Sequence, residues 1–303
     1  MAIGDVRPVD LAGVEGLHYV DTGMFDTEAQ TSVYVVDAER PAVIDAGIGT
    51  DHELLLDALA EIGIELDALE WILPTHVHLD HAGGAGHLAE ACPNATVAVP
   101  AVGAPHLVDP GRLVEGTKRT VGDAWQHYAE PVPIPEGRVR PLSGGDVVDL
   151  GDRVLDVHDA PGHAPHQAVF HDPDAAVAFT ADAAGMYVPR LDRVEPTTPP
   201  PNFDLEQCLD DVATLRALDP DVLCYPHFGP ARTADRLDEY ARVLEDWVER
   251  VADAREALGD DDAVVDRLAV PDDLADLWGE GRAAWNVELN ARGVLHSLDR
   301  RAG

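Results

Sequence analysis

Short apolar runs broken by Gly, Asp and Pro open the chain, at residues 16–20, 32–36 and 42–45. Runs of this length, rich in Val, Ile and Tyr, predict strands. From Asp51 the period changes, and Leu54, Leu55, Ala58, Leu59 and Ile62 fall on one helical face with Gly63 positioned to end it. A strand at 70–74, a short helix at 83–92 and a strand at 96–99 follow, and this alternation predicts an α/β fold. Residues 103–137 interrupt it. Their periodicity is weak and they hold Pro105, Pro110, Pro131, Pro133 and Pro135, so they read as an inserted, partly helical cap. Strands resume at 138–140, 146–150, 153–157, 168–170 and 176–180. A Pro-rich loop at 195–202, a helix at 204–218 with Asp204 as its N-cap, and a strand at 221–225 complete this part. From residue 234 the strand signals stop. Leu237, Ala241, Leu244, Val248 and Val251 trace one helical face, and Pro271 opens a further helical stretch. The expected organisation is a main domain over 1–233, carrying the insertion, and an α-helical extension over 234–303.

Charge narrows the partners. The 303 residues include 21 Lys+Arg against 57 Asp+Glu, a formal net charge of −36, and Lys118 is the sole lysine. Such a surface repels phosphate backbones and anionic membranes, which argues against nucleic acid as a partner and against membrane association. It also suits a protein kept in solution by concentrated salt, as in a halophilic archaeon, and there screening weakens the case against nucleic acid. Cys92, Cys208 and Cys224 form no CxxC pair, which fits a reducing compartment. Residues 1–16 carry Asp5, Asp10 and Glu15 with no apolar stretch, and no run approaches the length of a bilayer span. The expectation is a cytoplasmic protein acting on a small molecule; its oligomeric state, a homodimer included, is left open.

The densest chemical signal is Thr75-His76-Val77-His78-Leu79-Asp80-His81, leaving an apolar strand and running into Gly83-Gly84. In an extended segment residues two apart face the same side, so His76 and His78 offer two imidazoles to one ion. Asp80 and His81 come where the chain turns toward a helix and diverge from that pair. Imidazole nitrogen and carboxylate oxygen are the donors expected for zinc, and they also suit iron or manganese. Further along, Pro161-Gly162-His163, Thr180-Ala181-Asp182 and Tyr225-Pro226-His227-Phe228-Gly229 each follow a strand. All fall at the strand edge where open α/β sheets gather ligands.

With Ile44-Asp45-Ala46-Gly47 upstream, these motifs in this order resemble the five motifs of the metallo-β-lactamase-fold hydrolases, over roughly residues 17 to 233. The resemblance implies a four-layer αβ/βα sandwich and two divalent metal ions, zinc by default. It assigns His76, His78 and His163 to one ion, Asp80, His81 and His227 to the other, and Asp182 to both. Asp45 resembles the family's aspartate that orients a ligand histidine without touching metal. Within the family, the complete ligand set disfavours the single-iron persulfide dioxygenases. An aspartate at position 182 disfavours the classical β-lactamases, and a histidine at position 78 disfavours the flavodiiron proteins.

The chemistry implied is hydrolysis of a thioester, ester or lactone by hydroxide held between two metals, with Asp80 as ligand and proton shuttle. A phosphodiesterase or nuclease on the same metals is an alternative. A non-catalytic metal protein whose helical tail binds a partner is another. Glyoxalase II relatives hold glutathione with basic residues, and here only scattered arginines stand out. Lactonase relatives use a tyrosine near the bridging aspartate, for which Tyr187 is the counterpart. His166, three residues after His163, is a second candidate for substrate contact. Trp278 and Trp285 in the tail read as core residues.

Overall fold

The period-two alternation of the strands sorts their side chains into separate cores. The structure of the chain, a computed structural model, describes residues 1–50 and 52–302; the helix start expected at Asp51 and the terminal Gly303 lie outside the described residues. One sheet holds, in spatial order, β1 (Val6–Pro8), β2 (Leu17–Asp21), β3 (Ser32–Val36), β4 (Ala42–Ile44), β5 (Trp71–Leu73), β6 (Thr96–Pro100) and β7 (Val139–Leu142). Pairing is antiparallel from β1 to β4 and parallel from β4 to β7. The chain continues through β8 (Val147–Asp149), β9 (Val154–Asp159), β10 (Ala168–Asp172) and β11 (Val177–Phe179), the hairpin β12 (Met186–Val188) and β13 (Arg193–Glu195), then β14 (Val222–Tyr225) and β15 (Gly229–Arg232). The second sheet has the order β15-β14-β11-β10-β9-β8.

Tyr34, Ile44 and Leu73 of the first sheet meet Phe170, Phe179 and Val222 of the second in a core between the sheets. Their neighbours one residue away, Val33, Val43 and Ile72, point to the opposite face and pack on α1 (His52–Ile62) and α3 (Ala85–Ala91), beyond the short α2 (Leu79–Ala82). Strands buried on both faces need a helical layer on each side. The result is the four-layer αβ/βα sandwich expected from the motifs.

The insertion is helical where it is regular, with α4 (Ala104–Val108), α5 (Gly111–Val121) and a 3₁₀ segment at Gly122–His127. The helix α6 (Leu205–Leu218) begins as expected, with the Asp204 side chain accepting the Gln207 N–H. The tail is α7 (Arg236–Leu258), α8 (Asp261–Arg267), α9 (Asp272–Trp278) and α10 (Glu280–Ala302). Leu244, Trp247 and Val251 of α7, Val264 of α8 and Val294 of α10 share one core with Leu223 and Tyr225 of β14, so the tail is the outer layer of the second sheet. At one point α10 touches backbone: a Cβ on Gly293 would lie 1.7 Å from the Thr198 carbonyl oxygen, so only glycine allows this contact with the Pro-rich loop. No described helix is long and apolar enough to cross a membrane. The three cysteines are buried and unbridged.

Candidate metal centre

The five motifs converge on one edge of the sandwich because each follows a strand of one sheet or the other. Asp45 directly succeeds β4 and turns the chain with a left-handed backbone (φ 63°). Its carboxylate accepts the Thr75 N–H at 2.7 Å and the Thr75 hydroxyl at 2.9 Å, tying the ends of β4 and β5 together. The loop after Asp45 lies against the turn joining α2 to α3, where Ala46 N–H bonds the His81 carbonyl at 2.6 Å. A Cβ on Gly84 would sit 2.2 Å from the Ala46 oxygen, which explains the glycine after the histidine run. Ser32 and Tyr34 hydroxyls both donate to the Tyr225 carbonyl at 2.8 Å, and this fixes the loop carrying His227 to the first sheet.

Each anchoring bond selects a tautomer. His81 Nδ1 lies 3.0 Å from Asp45 Oδ2, His163 Nδ1 3.2 Å from the Thr197 carbonyl, and His227 Nδ1 2.8 Å from the Gln30 carbonyl. These acceptors place the proton on Nδ1 and leave the Nε2 lone pair facing inward. His76 Nδ1 faces the Thr75 hydroxyl at 3.2 Å, itself a donor to Asp45, so Asp45 organises both His76 and His81.

Inward, nitrogen meets nitrogen. His78 Nδ1 is 3.0 Å from His76 Nε2 and 3.1 Å from His163 Nε2, and His81 Nε2 is 3.2 Å from His227 Nε2. Asp80 Oδ2 is 3.5 Å from His227 Nε2 and 3.7 Å from His81 Nε2. Asp182 stands between the groups, with Oδ2 3.1 Å from His163 Nε2 and Oδ1 3.7 Å from His227 Nε2. The Asp182 Oδ1 atom is buried with no hydrogen-bond partner. An orphaned buried carboxylate oxygen beside facing imidazole lone pairs is costly in a bare protein and is the donor set of a divalent cation site. All seven ligands expected from the motifs thus come together, and the residues fit a metal.

Electrostatics within the cluster separate the groups. Burial pushes His76 and His78 well below the ordinary histidine range, and neighbouring imidazoles add to the effect. Burial acts the same way on His81, but Asp45, Asp80 and Asp182 outweigh it and hold that imidazole high; for His227, Asp182 and Asp80 do so. Burial opposes the charge on Asp80 and Asp182 too, yet the facing histidines keep both carboxyls well below the usual range. Both are therefore anions at neutral pH, ready to hold a cation.

A cavity of about 510 Å³ opens over the cluster. His78, Asp80, His163, Asp182 and His227 form its floor. Leu113, Thr117 and Tyr128 of the insertion form one wall, and Arg282, Trp285 and Leu289 of α10 another. His166 lines it as well, its ring stacked 6.0 Å from that of His76; burial, then His163, pushes its imidazole down to about 4. Tyr187 does not reach the cavity. Its hydroxyl donates to Asp192 at 3.0 Å and its ring lies under the Arg236 guanidinium, because β12 turns it toward the outer hairpin. Trp278 is a core residue as expected, whereas Trp285, expected in the core, is a wall of the cavity. Arg112, Arg119 and Arg282 also line the cavity and went unrecognised. The spacing Arg282, Trp285, Leu289 marks one helical face, a signal that existed in the sequence without saying what the face covers.

Fold and site together define a protein of the metal-binding αβ/βα sandwich class. The family model of the metallo-β-lactamase superfamily matches residues 26–227, and the chain belongs to that superfamily. It is 29% identical over 219 residues to the metallo-β-lactamase fold-containing protein ST1585 of Sulfurisphaera tokodaii, covering 71% of this chain and 78% of that one. The crystal structure of ST1585 from Sulfolobus tokodaii superposes with a TM-score of 0.69 at 24% identity, covering 94% of this chain and 100% of the other. An acyl-coenzyme A thioesterase of Gallus gallus is 28% identical over 190 residues, 55% of this chain and 62% of the relative, so the chain spans about three fifths of that enzyme. An N-acyl homoserine lactonase of Bacillus thuringiensis is 26% identical over 210 residues, 67% of this chain and 71% of the lactonase.

Proposed function

We propose that the protein is a dinuclear metal-dependent hydrolase of a small carbonyl substrate, cleaving a thioester, ester or lactone bond. The observation that carries this reading is the Asp182 carboxylate, which faces His163 from one oxygen and His227 from the other. His76, His78 and His163 would then hold one ion, Asp80, His81 and His227 a second, with Asp182 placed to serve both. Zinc is the default occupant, and iron or manganese accept the same donors. Two such ions would acidify water and polarise a carbonyl oxygen.

The chain's own groups supply the rest. Asp80 borders the cavity with its carboxylate ionised, so it would accept a proton from the attacking water and return it to the leaving group. Thr197 and Gln30 carbonyls hold the imidazoles of His163 and His227 in one tautomer. The insertion and α10 wall off solvent around the reacting bond. The thioesterase and lactonase relatives support the choice of bond.

Metal content and a substrate panel test the proposal. Expected are two divalent ions per chain and turnover of thioesters or lactones, in low and in molar salt. Asp80→Asn should retain one ion or more and lose activity by about a hundredfold or more. One ion per chain, or turnover of a chromogenic phosphodiester alone, overturns the proposal.

A further inference from the structure

Arg282 is a half-buried cation with no ion-pair partner among the described residues. Its guanidinium lies 4.5 Å from the centre of the Phe25 ring and 4.4 Å from that of Trp285, with those two rings edge to face. Its only side-chain bonds among the described residues go to a single oxygen, Gln30 Oε1, at 2.9 and 3.2 Å. The Nη1 group is buried with no hydrogen-bond partner, and no ion pair forms among the described residues. Leaving a guanidinium N–H unmet in a buried site is costly, and a stability role alone would have been met by an apolar residue or a paired one. Two arginines elsewhere in this acidic chain, Arg193 and Arg255, find carboxylates at Asp273 and Asp299.

The position of this cation is as informative as its isolation. Arg282 lines the cavity above the metal ligands, on the wall facing Tyr128 of the insertion. Phe25, which clamps it, holds a left-handed backbone (φ 59°) that a bulky residue rarely adopts, a kind of strain that collects at functional sites. Arg112 and Arg119, seven residues apart on one face of α5, line the same cavity, and neither forms an ion pair among the described residues. The acidic groups in the floor, Asp80 and Asp182, are the ones a metal would neutralise. In a chain of net charge −36, the cavity is therefore lined by unmatched positive charge.

We infer that Arg282 is the anchor of an anion subsite, and that the substrate carries a carboxylate or phosphate group at the end remote from the scissile carbonyl. The aromatic clamp fixes the guanidinium plane, leaving its free edge to make a charge-assisted bond, while Arg112 and Arg119 steer the anion from the mouth. This deepens the carbonyl hydrolase reading by naming the substrate class, and an uncharged lactone is disfavoured.

Two measurements at low ionic strength test it on the metal-loaded protein. Calorimetric titration with succinate and with inorganic phosphate asks whether an anion binds and which source of charge is preferred. Arg282→Gln should weaken the preferred anion by about tenfold to a hundredfold, and Arg282→Lys should recover part of that loss. Second, the ratio of kcat/KM for an aryl hemisuccinate over the matching aryl butyrate should fall by about tenfold in Arg282→Gln. Should that variant not fold, Arg112→Gln with Arg119→Gln on the exposed face of α5 should lower the same ratio by a smaller factor. Anion affinity and substrate ratio unmoved by these substitutions overturn the inference. The binding arm needs no turnover, so its failure is distinct from the failure of the hydrolase reading.

Discussion

Asp45 Oδ2 lies 3.0 Å from His81 Nδ1, and the same carboxylate receives the N–H and hydroxyl of Thr75. One buried side chain therefore sets the tautomer of a ligand histidine and joins two strand ends. Asp45→Asn keeps an oxygen for Thr75 but presents an N–H where His81 needs an acceptor. Metal affinity should fall by about 10- to 100-fold. Asp45→Ala orphans three donors and should also lose roughly 2–4 kcal/mol of stability. Metal titration and chemical denaturation of the two variants separate the effects; equal metal affinity in Asp45→Asn and the native chain would show that the bond does not orient His81.

Removing metal should destabilise the fold at its edge. The ligand side chains are packed with donor lone pairs and carboxylates facing each other, so an ion that binds only the native state stabilises it by mass action. The gain is about 2.7 kcal/mol at a free concentration one hundred times Kd. Thermal unfolding with and without chelator should therefore show a clear drop in midpoint. In His78→Ala, which deletes the nitrogen 3.0 Å from His76 and 3.1 Å from His163, the drop should be smaller. A chelator-independent midpoint would be incompatible with a metal held by these residues.

Asp211 gives a pH signature away from the ligands. It sits on α6 with its carboxylate accepting the Gly162 N–H at 2.7 Å, and burial raises its carboxyl to about 7 against an ordinary 3.8. Between those values the native state holds a proton the unfolded chain has lost, so this group's contribution to stability falls as pH rises and levels off above pH 7. The full cost is on the order of 4 kcal/mol. Asp211→Asn preserves an acceptor for Gly162 and avoids the charge. It should gain about 1–3 kcal/mol at pH 8 and less at pH 5 by urea denaturation. An equal change at both pH values would mean the carboxyl is not raised.

The parts of this molecule legible in the sequence are those where one residue type does one job. The unbroken apolar run Val33-Tyr34-Val35-Val36 reports a strand buried on two faces, and histidines two apart at a strand end report donors on one side. Four short strands escaped the pattern: Val6–Pro8, the hairpin Met186–Val188 with Arg193–Glu195, and Gly229–Arg232 with its proline have three or four residues each and, Met186–Val188 apart, no apolar run to mark them. Their pairing comes from the neighbouring strand. The walls of the cavity were hidden for a different reason. Arg282 and Trp285 lie more than fifty residues beyond the last motif, and a helical face looks the same in sequence whether it covers a core or a substrate. Tyr187 is the converse case, near in sequence to Asp182 yet turned away from it by the hairpin.

Gly293 ties that distant helix to the metal site. A Cβ there would meet the Thr198 oxygen at 1.7 Å and the Pro199 carbonyl carbon at 2.6 Å, both backbone atoms that no rotamer change can move. The adjacent residue, Thr197, gives its carbonyl to His163 Nδ1 at 3.2 Å. Gly293→Ala should thus shift the loop as well as the helix, costing about 1–3 kcal/mol or more in stability and weakening metal retention at His163. Gly281, in the same helix with nothing near its missing Cβ, is the control. Gly281→Ala should be neutral or stabilising by up to about 1 kcal/mol. Thermal unfolding and metal content of the two variants are the measurements. If Gly293→Ala behaves like Gly281→Ala in both, α10 does not press on the loop, and the helical tail does not help to hold His163 in position.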